Sequence, residues 1–246
     1  MPNAPCMTNA SPRSGEVKTG MEMTGLGGAR WPRLVALLVL PALLAGCAGS
    51  GGMMSAGLGG SSSKYAEVID GGHTLPAIDV SGIDPAMLRQ RVDYRTREPA
   101  GTVVVDTAAR HLYLVEGDGK AMRYGIGVGK AGLAFAGSAT IKRKAEWPHW
   151  SPTENMMNRE PARYRHLASG MAGGIENPLG PRAMYLYQGD RDTMFRIHGT
   201  TEPETIGTAV SSGCIRLMNQ DVVDLYNRVK IGSRVVVIQG GRAAES

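Results

Sequence analysis

Two residues carry the most direct chemistry in this sequence. Cys214 lies in Ser211-Ser212-Gly213-Cys214-Ile215-Arg216, and His198 lies upstream in Ile197-His198-Gly199-Thr200. A thiol is a strong nucleophile only as its thiolate, and a neighbouring imidazole can take its proton. Gly213 has no side chain, so backbone N–H groups there can come close to a ligand, as stabilising an oxyanion requires. Gly199 and Thr200 offer a carbonyl and a hydroxyl to orient the imidazole. The pattern suits a thiolate–imidazolium pair that attacks a carbonyl. The same spacing is compatible with a buried, inert cysteine.

The other two cysteines bear on that choice. Residues 34–44 form an apolar run broken only by Pro41 and preceded by Arg30 and Arg33. A bilayer-spanning helix needs about 20 apolar residues, so this run has the length of a signal-peptide core. Leu44-Ala45-Gly46-Cys47 follows and resembles the lipobox of bacterial lipoproteins, in which cleavage precedes a lipid-bearing Cys. Residues 1–46 are therefore expected to be a lipoprotein signal peptide, with Met21 and Met23 as alternative starts that give a shorter leader, and Cys47 the lipidation site. Residues 47–63, rich in Gly, Ser, Ala and Met, are expected to be a tether spanning roughly 20–25 Å. Cys6 leaves with the leader and Cys47 carries lipid, so Cys214 is the one thiol expected in the mature chain. Export implies an oxidising periplasm, where a retained thiol is either buried or functional. Ala48 after the lipid site favours the outer membrane by resemblance to enteric lipoproteins.

The elements that must position Cys214 and His198 are mostly strands. Residues 102–106, 111–116, 121–128, 139–143, 183–188, 193–198 and 234–238 read as β-branched or alternating runs. Gly117-Asp118-Gly119 and Gly189-Asp190 mark hairpin turns. His198 thus ends a strand, and Cys214 sits on a turn before a helix. In that helix Asn219 is expected as cap, Val222, Leu225, Tyr226 and Val229 form one apolar face, and Gly232 is the stop. Residues 64–99 read as a strap with extended chain at 75–79. Asp84 caps a short helix from Pro85 whose apolar side is Met87, Leu88 and Val92. Many short strands with one or two helices make an α+β, β-rich domain over residues 100–240. An apolar content of 42% supports a core, and a net charge of +5 from scattered basic residues is no nucleic-acid footprint.

Gly127, Gly129 and Gly132 spell a dinucleotide-type G-x-G-x-x-G, but no helix opens there, so the reading is strand and tight turn. His73, His111, His149 and His166 lack motifs and read as packing or surface residues. No metal-ligand spacing occurs, and no cofactor is expected.

His198-Gly199-Thr200 followed by Ser211-Ser212-Gly213-Cys214-Ile215-Arg216-Leu217 resembles the catalytic signature of the YkuD-type L,D-transpeptidases, of the ErfK/YbiS/YcfS/YnhG-like kind. Trp150-Ser151-Pro152-Thr153, Asn177-Pro178-Leu179-Gly180 and Arg182-Ala183-Met184-Tyr185-Leu186 extend the likeness over roughly residues 101–239. Ser212 stands where many members have His, as it does in a common branch. The resemblance implies a mixed β-sandwich and an acyltransferase of peptidoglycan. Cys214 would form a thioester with a tetrapeptide stem and release D-Ala, and His198 would move protons. The Gly199 carbonyl would orient His198, and N–H groups of Gly213 and Cys214 would hold the oxyanion. The acyl group would pass to an amine, giving a 3→3 cross-link or a link to an outer-membrane protein. Ser211, Ser212, Arg216 and Tyr185 are expected to contact substrate. Arg216 suits a substrate carboxylate or an ion pair with Asp221, while Tyr185 and Trp147 suit a groove wall or ordinary packing. The alternatives are an L,D-carboxypeptidase or amidase using the same Cys, and a non-catalytic peptidoglycan-binding lipoprotein.

Overall fold

The computed structural model describes residues 63–129, 136–210 and 214–239. The leader, Cys6, Cys47, the tether up to residue 62, Gly132, Ser211, Ser212 and Gly213 lie outside these residues. The strap begins with the hairpin β1 (Val68–Asp70) and β2 (His73–Leu75), followed by a 3₁₀ turn at Pro85–Met87 and β3 (Gln90–Asp93). Then come β4 (Val103–Asp106), β5 (His111–Gly117), β6 (Lys120–Gly125), β7 (Gly127–Gly129) and β8 (Gly137–Glu146). Short helices α1 (Glu154–Arg159) and α2 (Pro161–Tyr164) precede β9 (Arg182–Gln188) and β10 (Arg191–His198). The chain ends with β11 (Ala209–Val210), β12 (Ile215–Arg216), α3 (Asn219–Arg228) and β13 (Arg234–Ile238).

Apart from the β1–β2 hairpin, the strands form one mixed sheet in the order β11-β7-β12-β10-β9-β8-β13-β4-β5-β6-β3. Pairs β10–β12, β11–β7 and β13–β4 are parallel and the others antiparallel. Connectivity dictates how this sheet curls. β6 and β7 lie near opposite ends of the order, yet only Ile126 separates them in the chain. In a flat sheet they would stand about 40 Å apart, which one residue cannot span. The sheet therefore folds over on itself, and β4, β5, β10 and β12 bury side chains in one core with α3. This is the β-rich α+β architecture expected from the sequence.

Several local expectations are corrected. The run 121–128 is two strands, because at Ile126 the chain leaves one end of the sheet for the other. Asp84 does cap at Pro85, its Oδ1 accepting from the Ala86 N–H at 2.8 Å, but only a 3₁₀ turn follows. Val92 belongs to β3, which pairs with β6. Three short helices stand among the described residues rather than one or two. The signals for α1 were present: Thr153 accepts from the Met156 N–H, and Glu154 fills the first turn. In α3 the cap position is Met218, not Asn219, and the helix ends at Arg228. Gly232, with φ +94, serves the following turn instead. Lys144 satisfies the freed carbonyls of Tyr226 and Val229 at 2.6 and 2.8 Å.

Candidate active site

Strand alternation decides which side chains meet. Ile197, Ile215, Met184 and Leu186 point into the core. Their neighbours Arg196, His198, Cys214, Arg216 and Tyr185 therefore share the opposite face. β10 pairs with β12 through Ile197 with Ile215 and His198 with Arg216. This puts Cys214 diagonally across from His198, beside Arg196. The Leu217 N–H donates to the His198 carbonyl at 2.9 Å, which continues the register. The sequence-distant Cys and His thus come onto one face through one parallel strand pair. Cys214 is fully buried. In the full, unprocessed chain its sulfur is in a disulfide, and the chemistry below belongs to the reduced thiol expected of the mature chain.

His198 is 4% exposed. Burial holds its pKa down to about 3, reinforced by the charges of Arg216 and Arg196. The backbone at Gly199 and Pro178 pulls the other way. Neither carbonyl makes a well-formed hydrogen bond to Nδ1. With the sulfur bonded in a disulfide, the imidazolium is therefore disfavoured. The resting ring is neutral, ready to accept a proton as the sulfur attacks, and a thiolate beside it would draw its pKa upward.

The loop after His198 is fixed by groups that sequence reasoning placed elsewhere. Asn219 Oδ1 accepts from the Thr200 N–H at 3.0 Å. A Cβ at Gly199 or at Gly180 would collide with that same oxygen. Both glycines are thus needed for close approach, and Gly180 also has φ +62. The Gly199 N–H donates to the Leu179 carbonyl at 2.8 Å, and the Gly180 N–H to the Asn177 carbonyl at 2.8 Å. Asn177 is fully buried, its Nδ2 donating to the Pro148 and Ala172 carbonyls at 2.9 and 3.0 Å. The Asn177–Gly180 segment is the wedge on which the His198 loop rests. Asn219 was visible in the sequence, but its polarity at a helix start read as a cap.

The expected substrate contacts are placed as follows. Arg216 does not pair with Asp221: its Nη1 donates to Glu202 at 3.0 Å and its Nη2 to Thr205 at 2.9 Å. A substrate carboxylate would have to displace Glu202. Gly127 lies opposite Arg216 across β7 and β12, where a Cβ would crowd the Thr205 carbonyl at 3.3 Å and touch the guanidinium. That gives one glycine of the dinucleotide-like pattern a packing role inside a strand. Asp221 faces Arg89 at 3.6 Å and accepts from the Tyr65 hydroxyl at 3.1 Å. Tyr185 is 4% exposed, its ring between the guanidinium groups of Arg143 and Arg196 at 4.4 and 4.5 Å. Trp147, at φ +42, packs on His73 at 4.0 Å and donates to Asp70 at 3.0 Å, so it belongs to the hairpin contact. Beyond Thr200 a cavity of about 820 Å³ opens between the strap, the 200–208 loop and the start of α3.

Comparison with known proteins follows this geometry. The Escherichia coli (strain K12) protein named "Probable L,D-transpeptidase ErfK/SrfK" is 35% identical over 139 residues, covering 55% of this chain and 43% of its own. "Probable L,D-transpeptidase YbiS" of the same strain is 31% identical over 140 residues, covering 56% and 44%. The chain thus spans less than half the length of these relatives. A solved structure described as a probable carnitine operon oxidoreductase from Brucella melitensis is 53% identical, covering 65% of this chain and 99% of that one, with a TM-score of 0.45. The model of the L,D-transpeptidase catalytic domain matches residues 100–237, which include His198 and Cys214. The chain belongs to the YkuD family of L,D-transpeptidase catalytic domains.

Proposed function

We propose that this protein is a cysteine-dependent peptidoglycan L,D-transpeptidase acting in the periplasm from a lipid anchor at Cys47. The observation that carries this reading is the β10–β12 register, which puts Cys214 and a neutral, buried His198 on one face. In the first half-reaction His198 takes the Cys214 proton as the sulfur adds to the carbonyl of the third stem residue. N–H groups of Gly213 and Cys214 hold the oxyanion, each such donor being worth about 3–4 kcal/mol. The C–N bond to D-Ala then breaks, and the imidazolium returns its proton to the leaving amine. In the second, an acceptor amine adds to the thioester, loses a proton to His198 and expels the thiolate. The Gly199 backbone, which favours the charged ring, stabilises His198 at the moment it is protonated. The acceptor is a second stem or a protein amine, and outer-membrane sorting accords with Ala48.

The test is mass spectrometry of the full chain with disaccharide-tetrapeptide and a thiol reductant, beside a Cys214→Ala control. Cross-linked dimer and free D-Ala only with Cys214 intact are expected. Tripeptide without dimer would favour hydrolysis or a protein acceptor. No product from folded protein would overturn the reading in favour of a binding lipoprotein.

A further inference from the structure

Two strand pairings continue the active-site row past Arg196, the neighbour of Cys214. Arg196 pairs with Tyr185 across β10 and β9, and Tyr185 pairs with Arg143 across β9 and β8. Arg143, Tyr185, Arg196 and Cys214 therefore lie in one line across the sheet, on the face turned away from the core. Irregularities in both pairings create this row. On β8, Ile141 faces the core opposite Leu186, and simple alternation would send Arg143 to the core as well. The register shifts between Ile141 and Arg143, and the extra residue turns Arg143 to the Tyr185 face. A second shift, between Asp192 and Arg196, surrounds Met194 at φ +62. Bulges of this kind re-aim side chains beside functional sites.

The row carries three arginines with Arg216, and they are not equivalent. Arg196 is 1% exposed and bidentate on Asp192 at 2.6 and 2.8 Å. Arg216 is held by Glu202. Arg143 is half-buried, stacks on Tyr185 at 4.4 Å, and makes no ion pair or hydrogen bond among the described residues. A stacked guanidinium is already oriented, with its donors at the edge of the plane, and its natural ligand is a carboxylate. Three strand steps put its Cα about 14 Å from that of Cys214. After the reach of both side chains, this suits a carboxylate within about two residues of a carbonyl held at the sulfur.

We propose that Arg143 is a specificity-determining residue that takes a carboxylate of the acyl-donor peptide, the task that Arg216 cannot perform while it holds Glu202. The proposal rests on the transpeptidase reading for the identity of the peptide, and its test does not require turnover. Calorimetry on full-length Cys214→Ala protein would compare a tetrapeptide stem with the same stem amidated at its carboxylates. Arg143→Gln in that background is expected to weaken the acidic stem about tenfold and leave the amidated stem unchanged, with Arg143→Lys restoring part of the loss. Equal loss on both stems, no loss on either, or no binding of the acidic stem to folded protein would overturn the proposal. D-Ala release by the unmutated chain separately reports the transpeptidase reading. If release occurs while Arg143→Gln changes neither affinity, only the Arg143 assignment falls.

Discussion

At the residue scale, Gly199 shows how a position beside a functional group can be fixed by space alone. Its backbone is not in the left-handed region. It is glycine because Asn219 Oδ1 occupies the place of a Cβ, and that oxygen holds the Thr200 N–H. Gly199→Ala must push Asn219 away and move the loop that carries His198. Overpacking of this kind costs about 1–3 kcal/mol, and a displacement near 1 Å at a reacting group costs about a hundredfold in rate. We expect Gly199→Ala to lower kcat/KM for D-Ala release about a hundredfold and to lower the Tm by several degrees. Kinetics and a thermal melt check this, and wild-type kinetics would show that the contact has no role. Cys214 and His198 were legible in the sequence because both belong to short motifs. Asn219 and Arg143 were not, because their roles come from partners remote in the chain.

At the element scale, the β1–β2 hairpin is docked by one charged contact. Asp70 accepts from Nη1 and Nη2 of Arg182, each at 2.7 Å, while Arg182 is 4% exposed. Trp147 adds its indole N–H to the same carboxylate, and Gly71 leaves room for the ring. Removing Asp70 strips the buried guanidinium of its two short hydrogen bonds and leaves Glu146 at 3.7 Å as its remaining acid. Asp70→Asn is expected to destabilise by about 1–3 kcal/mol, and Asp70→Asn with Arg182→Met by clearly less than the sum of the single changes. Denaturant titration of the four proteins measures the coupling, and additive values would show that the hairpin is not held by this pair. The strands themselves were legible from alternation and turn residues. The hairpin's partner was not, since Asp70 and Arg182 are 112 residues apart.

For the whole molecule, the strap is built into the sheet and onto α3. β3 pairs with β6, Gln220 Nε2 donates to the Pro76 carbonyl at 2.9 Å, and Arg89 binds Asp224 at 2.9 Å. At the centre of this contact Asp221 is fully buried. Desolvation pushes its pKa up to about 7, although Arg89 and the Tyr65 hydroxyl pull it down. A carboxyl whose folded pKa exceeds its unfolded value favours the folded state fully below the unfolded pKa. That contribution is lost as pH rises through the folded one, here between about 4 and 7. The unmutated chain is expected to lose several degrees of Tm between pH 5 and 8, and Asp221→Asn to flatten that fall. Parallel melting curves for the two proteins would show that Asp221 does not control it.

The sequence by itself determined the β-rich class, most strand positions, the Cys and His with their motifs, and the family. These depend on local signals: period-two burial, turn glycines and short runs around reacting groups. The tertiary structure alone decided that Arg216 holds Glu202, that Asn219 braces the His198 loop, that a bulge turns Arg143 onto Tyr185, and that the strap joins the sheet. Each of these depends on which strands lie side by side and in what register. A shift of one residue exchanges the two faces of a strand, and nothing within the strand itself records the choice.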